Sequence, residues 1–256
     1  MSNNSLIISI AGASRVYILG RRVEVITNTD KELDEAQVRV VPLPCDVRSM
    51  GSGSAVVQHI EKKSGYIDVL ANNAGTPNPF FDSESADAIE ALQQGLLEAH
   101  TGSLNVLGTN LAAIIGTSSA FLHLLHEGNV RRGWPAKKLQ ATDTNARSLE
   151  HLQSNVDPGY MRTSQIISIS SMGGIQRSGL TGLAYTAGKA GVVHLGQTLS
   201  TMLAPWNIRS NVCIPGYYHT GDPHDVAGFF LFLVEMSRSF VNGAVSLSDG
   251  GRFSIN

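Results

Sequence analysis

A tyrosine and a lysine four residues apart, Tyr185 and Lys189, follow the hydroxyl pair Ser170-Ser171, with Tyr185 fourteen residues after Ser171. In a helix that spacing sets both side chains on one face, one turn from each other. A tyrosine with an unperturbed pKa near ~10 is a poor proton donor or acceptor at neutral pH unless a cation stabilises its phenolate. The lysine supplies the cation, and a serine hydroxyl from a neighbouring strand end can polarise a substrate carbonyl. These residue types together read as carbonyl–alcohol redox chemistry. The Tyr-x-x-x-Lys spacing alone is unspecific, so its weight depends on its surroundings.

Those surroundings are a series of strand ends. Ile166-Ile167-Ser168-Ile169-Ser170-Ser171 reads as a buried strand ending in hydroxyls, and Asn72-Asn73-Ala74-Gly75 closes a second, Ile67–Ala71. Pro215-Gly216 closes a third, Ile208–Ile214, and Asn242-Gly243 through Asp249-Gly250-Gly251 brackets a last one. In this order the motifs resemble the short-chain dehydrogenase/reductase family, and more narrowly its fungal branch similar to 3-oxoacyl-carrier-protein reductases. The resemblance covers roughly residues 12–128 and 164–251. It implies an α/β fold, a Rossmann-like doubly wound parallel sheet with helices on both faces, and NADPH-dependent reduction of a ketone.

The resemblance also distributes roles. Tyr185 becomes the proton donor in reduction, or the base in oxidation, and Lys189 supports it and holds the nicotinamide ribose. Ser171 donates a hydrogen bond to the substrate oxygen, with Ser170 as rival. Asn110, in Gly108-Thr109-Asn110-Leu111, matches the family asparagine that breaks its helix and orders a water near the lysine. A purely local reading makes Asn110 the N-cap of a helix from Leu111. For the cofactor, Asn73, Ala74 and Gly75 match the loop beside the adenosine ribose and nicotinamide, and Asp46 and Val47 the adenine edge. An Asx turn is an equal reading of Asp46. Arg21 and Arg22 end the second strand where NAD-binding members carry an acid, which points to the 2′-phosphate of NADP rather than NAD. Pro215, Gly216, Tyr218 and Thr220 match the carboxamide side.

Two departures stand against this pattern. The family's glycine-rich turn and first helix are absent: Leu6–Ala11 runs through Gly12–Arg15 directly into Val16–Leu19. Two parallel neighbours need a crossover of a dozen or more residues, so Leu6–Ile10 is not an ordinary first strand. Antiparallel pairing, an edge position elsewhere, or disorder all remain open, and the first βαβ unit is incomplete. After Pro215-Gly216 the substrate-covering segment is shortened as well. A non-catalytic or vestigial homologue that keeps only subunit association is therefore the competing reading.

The rest of the chain supplies the frame. At 256 residues and 27.3 kDa it fits a single domain, 1–256, with an irregular insertion at about 128–164. Further strands are expected at Val38–Leu43, Gln165–Ser170 and Ala244–Leu247. Helices are expected at Ser54–Lys63, Ser85–Ala99, Leu111–Leu125, Tyr185–Leu203 and Asp225–Met236, with a short one near Ser148–Asn155. The near-absence of charge in Leu111–Leu125 suggests burial on most sides. A net charge of −2 offers no field for nucleic acid. Cys45 and Cys213 lack metal or disulfide spacing, and no apolar run reaches the ~20 residues of a membrane span. No metal, a cytoplasmic location and a homodimer or homotetramer are the expectations, the last from the resemblance of the helices Leu111–Leu125 and Tyr185–Leu203 to the family's dimer-forming pair.

Overall fold

Runs of β-branched and aliphatic residues form the strands, and the glycines, prolines and asparagines that follow them end the strands at one edge. A computed structural model describes residues 5–8, 15–22, 24, 39–77, 86–140, 162–177, 182–216, 223–234, 240–251 and 253. Seven strands form one sheet: β1 (Ser5–Ile8), β2 (Arg15–Gly20), β3 (Arg39–Pro44), β4 (Val69–Asn72), β5 (Gln165–Ile169), β6 (Arg209–Pro215) and β7 (Val245–Ser248). Their order is β3-β2-β1-β4-β5-β6-β7. The pairs β2·β3, β4·β5, β5·β6 and β6·β7 are parallel.

The helices are α1 (Met50–Lys63), α2 (Ile89–Thr101), α3 (Ser103–Leu107), α4 (Ala113–Arg131), α5 (Leu183–Leu203) and α6 (Pro223–Val234). A π-turn, Gly108–Ala112, joins α3 to α4 in one helical run. Side-chain alternation along the strands serves both sheet faces. Leu70 and Ile166 join Ile60, Phe121, Leu124 and Leu125 in the cluster under α1 and α4. Their strand neighbours Val69 and Ile167 join Leu233 and Val234 of α6 on the other side. A third cluster, Ile114, Val192, Val212 and Ile214, packs α4 and α5 onto β6.

The helix expected from Leu111 begins instead at Ser103 and runs to Arg131, taking the first residues of the expected insertion into α4. Nor is it buried on most sides. One face is covered (Ile114, Thr117, Phe121, Leu124), while Ile115 stays 52% exposed. That run is long and apolar enough to cross a membrane by length and composition, but its buried face packs on the sheet. The helix expected at Ser85 starts at Ile89, after an extended Ala88. The helix expected near Ser148–Asn155 lies outside the described residues.

The largest departure from an all-parallel sheet is β1. It fills the slot between β2 and β4 but is antiparallel to both, pairing Ser5 with Gly20, Ile8 with Tyr17, and Ile7 with Ala71. The cause is the connection. Only residues 9–14 separate Ile8 from Arg15, enough for a hairpin return but not for a crossover. Of the three placements left open by the sequence, the chain takes the antiparallel one.

At the N-terminal edge of the parallel strands a buried polar network ties the helix end to the sheet. Asn129 Nδ2 donates to the Asn207 carbonyl (2.8 Å), and its Oδ1 accepts from the Ser164 amide (2.7 Å). Arg132 pairs with Asp68 and donates to Ser164 Oγ (2.8 Å). Both cysteines are free and buried, and burial pushes the Cys213 thiol up to about 12.

Candidate active site

In open α/β sheets, ligands bind outside the carboxyl ends of the strands, at the point where strand order reverses. Here that edge gathers the loops after β2, β3, β4, β5 and β6. Ser171 follows β5 in extended conformation and caps the short 3-10 turn Met172–Gly174, its Oγ accepting from the Gly173 amide at 3.2 Å. Its own O–H is not used in that bond. Ser170 differs: it is 2% exposed and its Oγ donates to the Lys189 carbonyl at 2.7 Å. The rival hydroxyl is thus committed to the protein interior.

Tyr185 and Lys189 lie on the first turns of α5. Tyr185 is half-buried and Lys189 is buried, with the ammonium 5.8 Å from the tyrosine ring centroid. Lys189 Nζ donates to the Ile169 carbonyl at 2.7 Å. Burial alone lowers its pKa from the ordinary lysine value to about 8. One donor of the ammonium is occupied by Ile169 and two remain.

Asn110 sits fully buried in the π-turn, so it is not an N-cap. Its Oδ1 accepts from the Thr76 amide (2.7 Å) and its Nδ2 donates to the Thr76 carbonyl (2.9 Å). Insertions of this kind bend a helix locally and recur at functional sites. The two bonds draw the loop after β4 onto the helix. A Cβ added at Gly75 would lie 3.4 Å from Asn110 Oδ1 and 3.8 Å from Lys189 Nζ. Gly75, Asn110 and Lys189 therefore converge from three elements on one point.

The expected cofactor residues divide along the crevice. Ala74 and Val47 line a shallow cavity with Asn72, Thr109, Ala113, Ile114 and Thr117. Asp46 makes the Asx turn, accepting from the Arg48 amide at 3.0 Å. Asn73 lies next to Ala74, partly exposed. Arg21 and Arg22 follow Gly20 at the end of β2, both exposed. Pro215 ends β6, and Gly216 donates to the Ser248 carbonyl at 2.9 Å, close against Asp249. Tyr218 and Thr220 lie outside the described residues. Thr76, Ile169 and Gly174 also shape the site without having been singled out in sequence. The one signal was the position of Thr76, directly after the Asn-Asn-Ala-Gly motif.

A dinucleotide fits part of this edge. The buried ammonium with spare donors and the converging Gly75 suit a ribose, and the shallow cavity at Val47 and Ala74 lies on the same edge. The pyrophosphate portion has no such counterpart among the described residues. The antiparallel β1 brings its first residue, Ser5, level with Gly20, where a parallel first strand would deliver its C-terminal end and phosphate-binding turn.

Comparison with known proteins identifies the family and the fold. The profile of the family described as short chain dehydrogenase matches residues 9–132 and 80–226. The short-chain dehydrogenase/reductase VdtF of Byssochlamys spectabilis is 30% identical over 94% of this chain and 85% of its own length. The 3-oxoacyl-[acyl-carrier-protein] reductase MabA of Mycobacterium tuberculosis is 26% identical over 78% of this chain and 88% of its own. Among solved structures, the Pseudomonas aeruginosa RhlG/NADP active-site complex superposes with a TM-score of 0.68. It is 21% identical, covering 93% of this chain and 86% of that one, a likeness of fold. On the profile match and the VdtF relationship, the chain belongs to the short-chain dehydrogenase/reductase family of oxidoreductases, which bind a nicotinamide cofactor.

Proposed function

We propose that this chain reduces a ketone of 3-oxoacyl-like or secondary-metabolite type to its alcohol, with NADPH as reductant. The observation that carries the reading is the convergence of Gly75, Asn110 and Lys189 beside the strand end that bears Ser171. When bound, the reduced nicotinamide would supply the hydride for the carbonyl carbon. Ser171 donates its O–H to the carbonyl oxygen and orients it. Tyr185 delivers the proton to that oxygen, and the nearby Lys189 ammonium stabilises the phenolate that develops. The two remaining Lys189 donors are available to ribose hydroxyls. Arg21 and Arg22 favour NADPH through charge-assisted bonds to its 2′-phosphate. Pairing of copies through the α3–α4 run and α5 is consistent with the exposed Leu104, Ile115, Leu183 and Met202.

One observation favours a second reading, a homologue without turnover that keeps only subunit association: the polarity of β1 leaves no pyrophosphate cradle among the described residues. Losing several backbone N–H bonds at even ~1.5 kcal/mol each weakens dinucleotide binding by several orders of magnitude. The deciding experiment combines NADPH titration by nucleotide fluorescence with ketone-dependent NADPH oxidation, on wild type and Tyr185→Phe. The reductase reading expects weak binding, measurable turnover at high NADPH, and at least ~100-fold loss of turnover in the variant with the fold intact. No ketone turnover at saturating nucleotide selects the second reading, and unchanged turnover in Tyr185→Phe removes the assignment of the proton donor.

A further inference from the structure

Within the reductase reading of the site, Ser170 is a hydroxyl without a chemical role. At 2% exposure it is closed to substrate. Its Oγ donates to the Lys189 carbonyl (2.7 Å), while Lys189 Nζ donates in the opposite direction to the Ile169 carbonyl (2.7 Å). Two consecutive residues at the end of β5 thus hold both ends of one lysine, its main chain and its ammonium. Gly174 presses on the same peptide: a Cβ there would lie 2.7 Å from the Lys189 carbonyl carbon and 2.8 Å from the Ala190 nitrogen.

A lysine side chain is rotamer-rich, and an unpaired buried ammonium is drawn toward water. Fixing the backbone at Lys189 removes the freedom of α5 to slide along the strand end and let the ammonium escape. We propose that Ser170 is a positioning residue, which anchors α5 at Lys189 and so aims the ammonium at Tyr185 and Gly75, leaving Ser171 for the substrate. The desolvation of Lys189, which holds its pKa near 8, is maintained by this anchor. The sequence supplies its own control. Ser168, two residues earlier and equally buried, has no hydrogen-bond partner for its Oγ among the described residues.

The test compares wild type with Ser170→Ala, Ser170→Cys and Ser168→Ala. Trace labelling with acetic anhydride under native conditions, read by mass spectrometry, gives the rate at Lys189 relative to the exposed Lys62 and Lys63 of α1. The expected order at Lys189 is wild type slowest, Ser170→Cys intermediate because a thiol is a weaker donor, and Ser170→Ala about tenfold faster than wild type. Ser168→Ala should label as wild type does. In turnover, the loss in Ser170→Ala should lie in kcat and in NADPH affinity, with ketone KM unchanged. An unchanged Lys189 rate in the Ser170 variants, or an equal rise in Ser168→Ala, overturns the proposal. If Ser170→Ala does not fold, the Ser170→Cys rate against Ser168→Ala decides in the same way. The labelling needs neither nucleotide nor ketone, so its outcome is independent of whether the chain proves to be a reductase.

Discussion

Replacing Lys189 by methionine should stabilise the folded chain at neutral pH while removing its activity. The argument starts from burial. Lys189 is 5% exposed, and desolvation places its pKa at about 8 against the ordinary 10.5. At 1.36 kcal/mol per pH unit that gap is a cost of roughly 3 kcal/mol to the folded state. The sign follows from proton counting. Below pH 8 the folded and unfolded chains both carry the proton, and the cost is full. Between 8 and 10.5 only the unfolded chain binds it, so stability rises with pH, and above 10.5 the cost is gone. Methionine removes the charge but leaves the Ile169 carbonyl without its donor, which takes back ~1 kcal/mol. The variant should therefore be about 2 kcal/mol more stable at pH 7. Near pH 10.5 it should be ~1 kcal/mol less stable than wild type, so the difference changes sign. Urea unfolding of both proteins across this range, followed by tryptophan fluorescence, measures it. A variant that is destabilised at pH 7, or a difference that does not move with pH, would falsify the burial argument.

Two further outcomes are expected. Wild type should bind NADPH at least about tenfold more tightly than NADH, and replacing Arg21 and Arg22 together by alanine should erase the preference, as read by paired titrations. Gly128→Ala should destabilise by ~1–3 kcal/mol in the urea midpoint, because its Cβ would overlap the Ile67 carbonyl oxygen and lie 2.8 Å from Ser164 Oγ at the crossing of α4 and the sheet.

What the sequence made legible was local. Apolar runs closed by Asn-Asn-Ala-Gly, Ser-Ser and Pro-Gly placed β4, β5 and β6 to within two residues, and the tyrosine–lysine spacing placed both side chains on α5. The π-turn was not legible as such. Gly102 and Gly108 look like breakers, and Asn110 is a good N-cap, but tertiary bonds to Thr76 hold the helix through that point with one widened turn. The choice between Ser170 and Ser171 also needed three dimensions, because both neighbours are serines and only the packing of α5 commits one of them. Likewise, connection length excluded a parallel β1, but only pairing with both neighbours could select among the remaining placements.

The reversed strand also changes when the sheet can assemble. In β1·β2 the paired residues Ile8 and Tyr17 are 9 apart in sequence, whereas Tyr17 and Val41 of β2·β3 are 24 apart and Ala71 and Ile167 of β4·β5 are 96 apart. Pairing across a short hairpin closes on the microsecond scale, ahead of contacts that must first close long loops. The β1·β2 pairing is thus the most local of the three, and it is expected to form before β4 joins β1, an order that pulsed hydrogen exchange during refolding would read out. A glycine-rich turn and helix spliced in after Ala11 would lengthen that closure beyond a dozen residues and remove the head start of the hairpin. The same four residues, Ser5–Ile8, would then be free to enter the slot in the opposite direction. In this chain, strand polarity is set by the length of a single connection.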